Sequence, residues 1–217
     1  MRFWGMVVFG VLGTAILLSL GIWQLQRLAW KQELLRAIES KILAPAVEIP
    51  QTVLPDAHSL LPVRAEGRYK GDTVRVLVSQ KIYGAGYRLI TAFELVDGRT
   101  IMLDRGFTSV RAEMPSTPEG RGQVIGNLQW PQEIDSFTPE NDLAANIWFA
   151  RDVARLAEHL KAEPVLLVLR DSSFETEAAT PLPKMTANIP NDHMNYAITW
   201  FSLALIWLGM SGYFLYR

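Results

Sequence analysis

Two long segments without a charged side chain, one at each end of the chain, constrain the fold more than any other feature. They run from Phe3 to Trp23 and from Tyr196 to Tyr216, and each has 21 residues. At about 1.5 Å per residue, a helix of this length crosses a hydrocarbon core of about 30 Å. The sequence therefore predicts transmembrane helices over residues 1–23 and 196–217. Roughly 170 residues remain between them, an ordinary size for one domain.

The first segment has an alternative interpretation as a cleaved signal peptide. Its apolar stretch is longer than the usual apolar region of about 7–15 residues in such peptides. The sequence Gly21-Ile22-Trp23-Gln24 that follows offers no cleavage site of the small-x-small type. We expect the first segment to be retained as a membrane anchor, so that the lipid bilayer is one partner of the protein.

Charge and cysteine content exclude several classes of function. Lys and Arg number 21 against 22 Asp and Glu, which gives a net charge of −1. Nucleic-acid binding needs a dense basic surface to neutralise phosphates, so we expect no nucleic-acid partner. The chain has no cysteine. It therefore has no disulfide, thiol nucleophile, thiolate metal site or c-type haem attachment.

The region between the two hydrophobic segments is predicted to form an extramembrane α+β domain that is mainly antiparallel β, with one or two helices. Residues 24–43 are interpreted as an amphipathic helix and the start of a linker, and residues 44–195 as the domain. Residues 44–60 hold three prolines and are interpreted as linker. Alternating or apolar patterns predict strands at 61–69, 73–80, 87–96, 100–107, 123–130 and 164–170. Turns are predicted at 70–72 and at Asp97-Gly98, a strong hairpin signal, and a helix at 148–160.

No catalytic pattern was found in the sequence. It has no phosphate-binding Gly-x-x-x-x-Gly-Lys-Ser/Thr loop, no Gly-x-Ser-x-Gly elbow and no His-Glu-x-x-His pair. His58 and His159 are isolated and are expected to be solvated. Asp104 could be a catalytic carboxylate, but a structural role at a strand end is the better interpretation. We therefore predict that the protein is not an enzyme and has no catalytic residue.

His193 differs from the other two histidines because it stands at the start of a predicted helix and shares one face of that helix with small and indole side chains. At about 100° per residue, a set of small and indole side chains lies within about 40° of it. These residues are Ala197, Trp200, Ala204, Trp207 and Ser211. A flat apolar ligand such as a haem could lie against this face, with a neutral nitrogen of His193 as axial ligand. The alternative is that His193 caps the helix at the membrane interface and the indoles pack against the first span.

Small residues also share one face of the first hydrophobic segment. Gly10, Gly13, Thr14 and Gly21 are close to one another at helical spacing. Such a face lets a second helix approach closely in lipid, and the second span is the obvious neighbour. Glycine is also simply common in membrane helices. The sequence leaves both interpretations open.

The second span and its approach resemble a known family. The run from Asn191 to Phe201, Asn-Asp-His-Met-Asn-Tyr-Ala-Ile-Thr-Trp-Phe, is similar to the signature of the Surfeit-locus-protein-one family, the cytochrome c oxidase assembly factors. Further motif residues match in the same order: Trp23, Gln24, Arg27, Gly67, Tyr69, Gly86, Tyr87, Arg105, Gly106, Asn188 and Tyr196. The family motif Asn-Arg-Gly-Trp is replaced here by Asp104-Arg105-Gly106-Phe107, which differs at its first and last residues.

The resemblance implies a non-enzymatic assembly factor that aids delivery of haem a to subunit I of a haem–copper oxidase, or its insertion there. In bacterial members a histidine of the second span is implicated in haem a binding. That role maps onto His193 as ligand of the haem iron, with Ala197, Trp200, Ala204 and Trp207 around the cofactor. The implied partners are subunit I of cytochrome c oxidase and the haem a synthase. The alternative is a haem-free scaffold for an oxidase assembly intermediate.

The resemblance also implies that the domain lies outside the cytoplasm. Arg27, Lys31 and Arg36 follow the first span and only Arg2 precedes it, which by the positive-inside rule favours the opposite orientation. That rule is weak for long loops. Because only two residues precede the span, we expect no mitochondrial transit peptide. We therefore expect a two-pass protein of a bacterial plasma (inner) membrane with its domain on the periplasmic side.

Overall fold

A computed structural model of the chain describes residues 2–174, 179–183 and 189–217. The chain divides into two compact units. The first, the helical unit, comprises Met1–Glu39 and Met185–Arg217, and the second, the domain, comprises Ser40–Lys184. The helices and strands follow in the order α1 (Arg2–Ile42), β1 (Val47–Glu48), α2 (Pro55–His58), β2 (Pro62–Gln80), β3 (Gly84–Leu95), β4 (Thr100–Ser109), β5 (Gly122–Gln129), β6 (Ile147–Trp148), α3 (Val153–Leu160), β7 (Leu166–Ser172) and α4 (His193–Tyr216).

The helical unit contains two helices, α1 and α4, that are long and apolar enough to cross a membrane. Helix α1 continues without a break from the hydrophobic segment through the predicted amphipathic stretch to Ile42. Its less exposed positions recur at alternating steps of three and four residues. They are Val7, Gly10, Thr14, Leu17, Gly21, Gln24, Leu28, Lys31, Leu35, Ile38 and Ile42, and Gly13 and Leu20 beside this row are also less exposed. This spacing of about 3.5 residues is that of a helix packed along a single seam.

The domain is built on a mixed sheet that closes on itself like a barrel. Strand order runs β2-β3-β4-β7-β5, and β5 pairs again with β2. Antiparallel pairing joins β2 to β3, β3 to β4, β5 to β7 and β2 to β5. Parallel pairing joins β4 to β7, and β2 to the short strands β1 and β6. The prediction of a mainly antiparallel sheet was therefore wrong in part, because alternation of apolar residues fixes which face a strand buries but not which strand lies beside it.

Several local predictions also differ from the structure. The predicted turn at 70–72 is an irregularity within the single long strand β2, where Gly71 has a φ of 73°. The predicted linker 44–60 contains β1 and α2. Helix α3 begins after Trp148, at Val153, because the Asp152 side chain caps it by accepting hydrogen bonds from the backbone N–H groups of Ala154 and Arg155. The Asp97-Gly98 hairpin is confirmed by the pairing of β3 with β4.

Two apolar clusters stabilise the sheet. One holds alternate residues of the closed strands, including Phe93, Leu103 and Leu167. The other holds the intervening residues, including Ile90 and Leu166, and is covered by α3. Strand β7 contributes to both clusters, which explains its nearly continuous apolar sequence.

Candidate functional site

His193 is the first residue of α4, and its side chain is held by a residue of α1. The imidazole Nδ1 lies 2.8 Å from the side-chain oxygen Oε1 of Gln24. Gln24 is only 9% exposed, whereas His193 is half-buried. An amide oxygen only accepts hydrogen bonds, so the tautomer that satisfies this contact with Oε1 carries its proton on Nδ1 and donates it. In the neutral imidazole the lone pair is then on Nε2, the state in which a histidine binds a metal.

Glycines of α1 lie against large side chains of α4. A Cβ added at Gly21 would lie 2.7 Å from the Phe201 ring, and one at Gly13 would lie 2.3 Å from Nε1 of Trp207. The same Nε1 donates a hydrogen bond to the Gly10 carbonyl oxygen at 3.1 Å. The contacts run in opposite directions along the two helices, so the pair is antiparallel. The small-residue face of the first span therefore accommodates the second span.

The face of α4 that begins at His193 is the one turned to α1. Ala197 and Ala204 are 1% and 2% exposed, and they lie between the contacts just described. Trp200 and Trp207 are half-buried. The structure thus places these residues in one stripe, in which the two alanines are almost fully buried. Whether any of them contacts a cofactor stays a prediction.

An apolar cleft of 360 Å³ lies between the helices at the far end of this stripe. Its lining residues are Met6, Phe9, Trp207, Met210, Ser211 and Phe214. Trp207 follows His193 by 14 residues, which corresponds to about 21 Å along a helix. The cleft is therefore separate from the imidazole.

The remaining motif residues of the helical unit and their neighbours lie on α1 after Gly21 and in the first turn of α4. Lys31 Nζ donates a hydrogen bond to the Pro190 carbonyl oxygen, which fixes the chain just before the helix. The Arg27 guanidinium lies 4.7 Å from the centre of the Trp30 ring. Trp23 and Tyr196 are 50% and 57% exposed, as expected of aromatic side chains at a membrane–water interface. Asn188, a further motif residue, lies outside the described residues.

The motif glycines of the domain permit close approach of neighbouring strands. A Cβ added at Gly67 would lie 2.2 Å from the Glu94 carbonyl oxygen, and one at Gly86 would lie 2.3 Å from the Thr108 carbonyl oxygen. Real Cβ atoms do not approach that closely. Both glycines therefore have a structural role in the sheet.

The motif aromatic and arginine side chains of the domain pack on one another. The Tyr69 ring lies 5.4 Å from the Phe93 ring, and the Arg105 guanidinium lies 5.2 Å from the Tyr69 ring. Arg105 is completely buried. Tyr87 forms a similar contact with the Arg75 guanidinium at 5.2 Å. These are cation–π and aromatic contacts of a folded core.

The sequence Asp104-Arg105-Gly106 forms a β-bulge. Consecutive residues of β3 oppose Gly106 and Asp104, so Arg105 is the extra residue between them. Gly106 has a φ of 114°, and a Cβ there would lie 2.1 Å from the Thr180 carbonyl oxygen. A position with this backbone angle and this contact requires glycine.

Asp104 also accepts hydrogen bonds from two arginines, a network that the sequence analysis missed. The carboxylate is completely buried, and its Oδ2 lies 2.7 Å from Arg88 Nε and 3.4 Å from Arg151 Nη1. Its Oδ1 accepts a hydrogen bond from the Gly106 N–H at 3.1 Å. Arg151 also pairs with Glu133. The sequence signal for this network was an arginine at position 88, directly before the apolar residues Leu89 and Ile90 of the same strand.

The outer ion pair of this network shifts two pKa values. Burial raises the pKa of Glu133, but hydrogen bonds and charge from Arg151 outweigh it and hold that pKa below the ordinary value of 4.5. Burial lowers the pKa of Arg151, whereas Glu133 and Asp104 raise it, and the net direction is upward. Both groups are charged at neutral pH. Within 2–174, 179–183 and 189–217, no three histidine or carboxylate side chains converge as a metal site.

The fold defines a class: a two-pass membrane protein whose spans flank a sheet-rich domain. A model of the SURF1 family matches residues 11–205, and this chain belongs to the SURF1 family. That family is known generally for cytochrome oxidase assembly.

Relatives at moderate identity match most of the chain. The SURF1-like protein of Rickettsia prowazekii is 30% identical over 225 residues, covering 96% of this chain and 88% of the relative. The human Surfeit locus protein 1 is 30% identical over 212 residues, covering 86% of this chain and 69% of the relative. The SURF1-like protein of Rickettsia felis is 27% identical over 200 residues, with 88% of each chain covered.

Proposed function

We propose that this protein is a non-enzymatic assembly factor that aids delivery of haem a to subunit I of a haem–copper cytochrome c oxidase, or its insertion there. The proposal includes the haem a synthase as a second protein partner. It places the protein in a bacterial plasma membrane with the domain on the periplasmic side. Family membership supports the oxidase, and the His193–Gln24 pair is the observation that supports the haem.

The donor chemistry at His193 fits a haem iron. The hydrogen bond from Nδ1 to Gln24 fixes the ring and leaves the Nε2 lone pair available. A ligand histidine in a protein almost always donates its other ring N–H to such an acceptor. Ala197 and Ala204 are only 1% and 2% exposed, so a porphyrin would reach them only if the helices separated. The proposal therefore depends on His193 as axial ligand, with Gln24 as its positioning residue, and a haem contact with Ala197, Trp200, Ala204 and Trp207 stays a prediction.

The haem would supply only its own redox chemistry, which an assembly factor does not use. The residues of this chain would bind and release it. A single axial imidazole at the membrane interface suits transient binding, because the protein must give the cofactor up.

The test is the haem content of the full-length protein purified from cells that make haem a, recorded as a visible spectrum. His193→Ala should abolish bound haem, and Gln24→Leu should reduce it, since loss of such an outer partner costs about 10–100-fold in metal affinity. His159→Ala is the matched control, because it removes a histidine of the domain, and it should keep the wild-type haem content. Equal haem in wild type and His193→Ala would remove the ligand role.

The packing of α4 on α1 favours a second candidate, a haem-free scaffold for an oxidase intermediate. The stripe from Ala197 to Trp207 contacts α1 as a structural seam would. A scaffold predicts that subunit I co-purifies with the wild type without haem. It also predicts that His193→Ala retains full oxidase activity in a deletion strain.

A further inference from the structure

Arg27 is the first charged side chain after the hydrophobic segment of α1. It follows Gln24, the partner of His193, by three residues, which corresponds to about 4.5 Å along a helix. The Arg27 side chain is exposed, whereas Gln24 and Leu28 are buried. Arg27 therefore lies at the edge of the helix contact and is open to a ligand.

Two contacts place Arg27 level with the start of α4. Gln24 lies 2.8 Å from His193, and Lys31 donates a hydrogen bond to the Pro190 carbonyl oxygen. On α1, Arg27 lies between these two contacts. Since the helices are antiparallel, its neighbours on the other chain segment are the residues from Pro190 to His193. A cationic side chain therefore flanks the turn that carries the imidazole.

The guanidinium of Arg27 is held by an aromatic ring of the same helix. It lies 4.7 Å from the centre of the Trp30 ring. Stacking of this kind occupies a face of the planar guanidinium and leaves its N–H donors, which lie in the plane, available. The group is thus prepared to bind a planar anion such as a carboxylate, which can accept two parallel hydrogen bonds from it.

This cation is not neutralised by the described part of the chain. Within residues 2–174, 179–183 and 189–217, no carboxylate forms an ion pair with Arg27. Asp192, the acidic residue beside His193, forms neither an ion pair nor a cap hydrogen bond with any described residue. Lys31 differs, because its Nζ already donates to a backbone carbonyl oxygen. Arg27 is therefore the cation near His193 whose donors are available.

We propose that Arg27 binds a propionate carboxylate of the haem that His193 ligates, an inference that rests on the proposed function. A haem carries its two propionates on one edge, and charged groups are costly to place in an apolar environment, so this edge is expected to face water. Arg27 is the first charged position on the aqueous side of the α1 hydrophobic segment. The structure therefore offers a cation where the charged edge of the ligand is expected.

The test compares haem a with its dimethyl ester, in which both propionates have lost their charge. Each is titrated into the full-length protein, purified without haem in detergent, and binding is followed in the visible spectrum. Arg27→Gln should weaken the binding of haem a about fivefold, the scale of a solvent-accessible ion pair, and should leave the binding of the ester unchanged. Arg27→Lys, which retains the charge, should keep most of the wild-type affinity for haem a.

Arg36→Gln is the matched control, because it removes another exposed arginine of α1, nine residues further along the chain. It should bind haem a and the ester as the wild type does. Added salt should weaken the binding of haem a to the wild type more than its binding to Arg27→Gln, because salt screens the charge pair. An equal loss of affinity for haem a and for the ester in Arg27→Gln, or no loss for either, would overturn the proposal.

Failure of the proposed function gives a different result. If the wild type binds neither haem a nor the ester, or if His193→Ala binds them as tightly as the wild type does, the axial-ligand role is wrong and the role of Arg27 with it. If binding requires His193 but Arg27→Gln retains the wild-type affinity for both compounds, only the role of Arg27 is wrong.

Discussion

The helical unit and the domain differ in what stabilises them. The helices expose most of their apolar side chains, which lipid can cover, and they contact each other through one narrow seam of small residues. The domain instead buries two apolar clusters and a charged network around Asp104. Apolar burial therefore stabilises the domain against water, whereas close packing and hydrogen bonds stabilise the helix pair in lipid. Equivalent substitutions should consequently have unequal effects in the two units.

The largest effect is expected for a cavity in the domain. Phe93 is completely buried, and Phe93→Ala should cost about 3–5 kcal/mol. Phe201→Ala in the helix pair should cost only about 1 kcal/mol, because lipid or neighbouring side chains fill the space. Urea unfolding of the full chain in detergent measures the free-energy cost of Phe93→Ala. Val96→Ala, at an exposed position, is its control. A cost for Phe93→Ala of no more than about 1 kcal/mol, the value expected for the helix pair, would contradict the comparison.

A somewhat smaller effect is expected when one partner of the buried ion pair is removed. Arg88→Met should cost about 3 kcal/mol, because it leaves the Asp104 carboxylate buried with Arg151 as its remaining cation at 3.4 Å. Arg68→Met, which breaks an exposed pair with Glu94, is the control and should cost under about 1 kcal/mol. Both are measured as shifts in the urea midpoint. Equal shifts would show that the buried pair contributes no more than an exposed one.

The two units also differ in how far the sequence predicts them. Both hydrophobic helices were predicted, and the glycines of α1 were placed on one face with their role left open, because helical periodicity is a local property. The closure of the sheet was not predicted. It requires Thr100–Ser109 to pair in parallel with Leu166–Ser172, and several other elements separate these two strands along the chain. The bulge at Arg105 likewise depends on a partner strand.

In the candidate site, too, the features set by local sequence could be predicted and those that depend on a distant partner could not. The face of α4 that begins at His193 could be predicted from spacing within one helix. Its partner Gln24 could not, because the two residues are 169 positions apart and no rule of local periodicity connects them. The network of Asp104, Arg88 and Arg151 joins three separate elements for the same reason.

Substitution of a seam glycine should have a moderate effect. Gly13→Leu places side-chain atoms where Trp207 lies, and it should weaken the helix pair by about 1–2 kcal/mol, the scale of interhelical contacts in lipid. The readout is disulfide formation between Gly10→Cys and Ser211→Cys in the otherwise cysteine-free chain, since a Cβ at position 10 lies 3.0 Å from the Ser211 Cβ. Gly5→Leu is the matched control, because a Cβ at Gly5 meets no described atom within 4 Å. If Gly13→Leu and Gly5→Leu both form the disulfide to the same extent as the chain that carries only the two cysteines, the seam does not determine how the two helices pair.

The smallest effect concerns acid, and only the domain should show it. The pKa of Glu133 is lower in the folded chain than its ordinary 4.5, so the folded state binds the proton less readily than the unfolded state does. This contribution to the free energy of unfolding is complete above about pH 4.5 and is lost as the pH falls through the folded-state pKa. Urea unfolding at pH 7 and between pH 4.5 and 3 should therefore show a steeper acid loss for the wild type than for Glu133→Gln. The packing of the two helices should not change over that range, since its contacts at Gly10 and Gly13 involve no titratable group. Identical pH profiles for wild type and Glu133→Gln would show that the Arg151 pair does not couple folding to the protonation of Glu133.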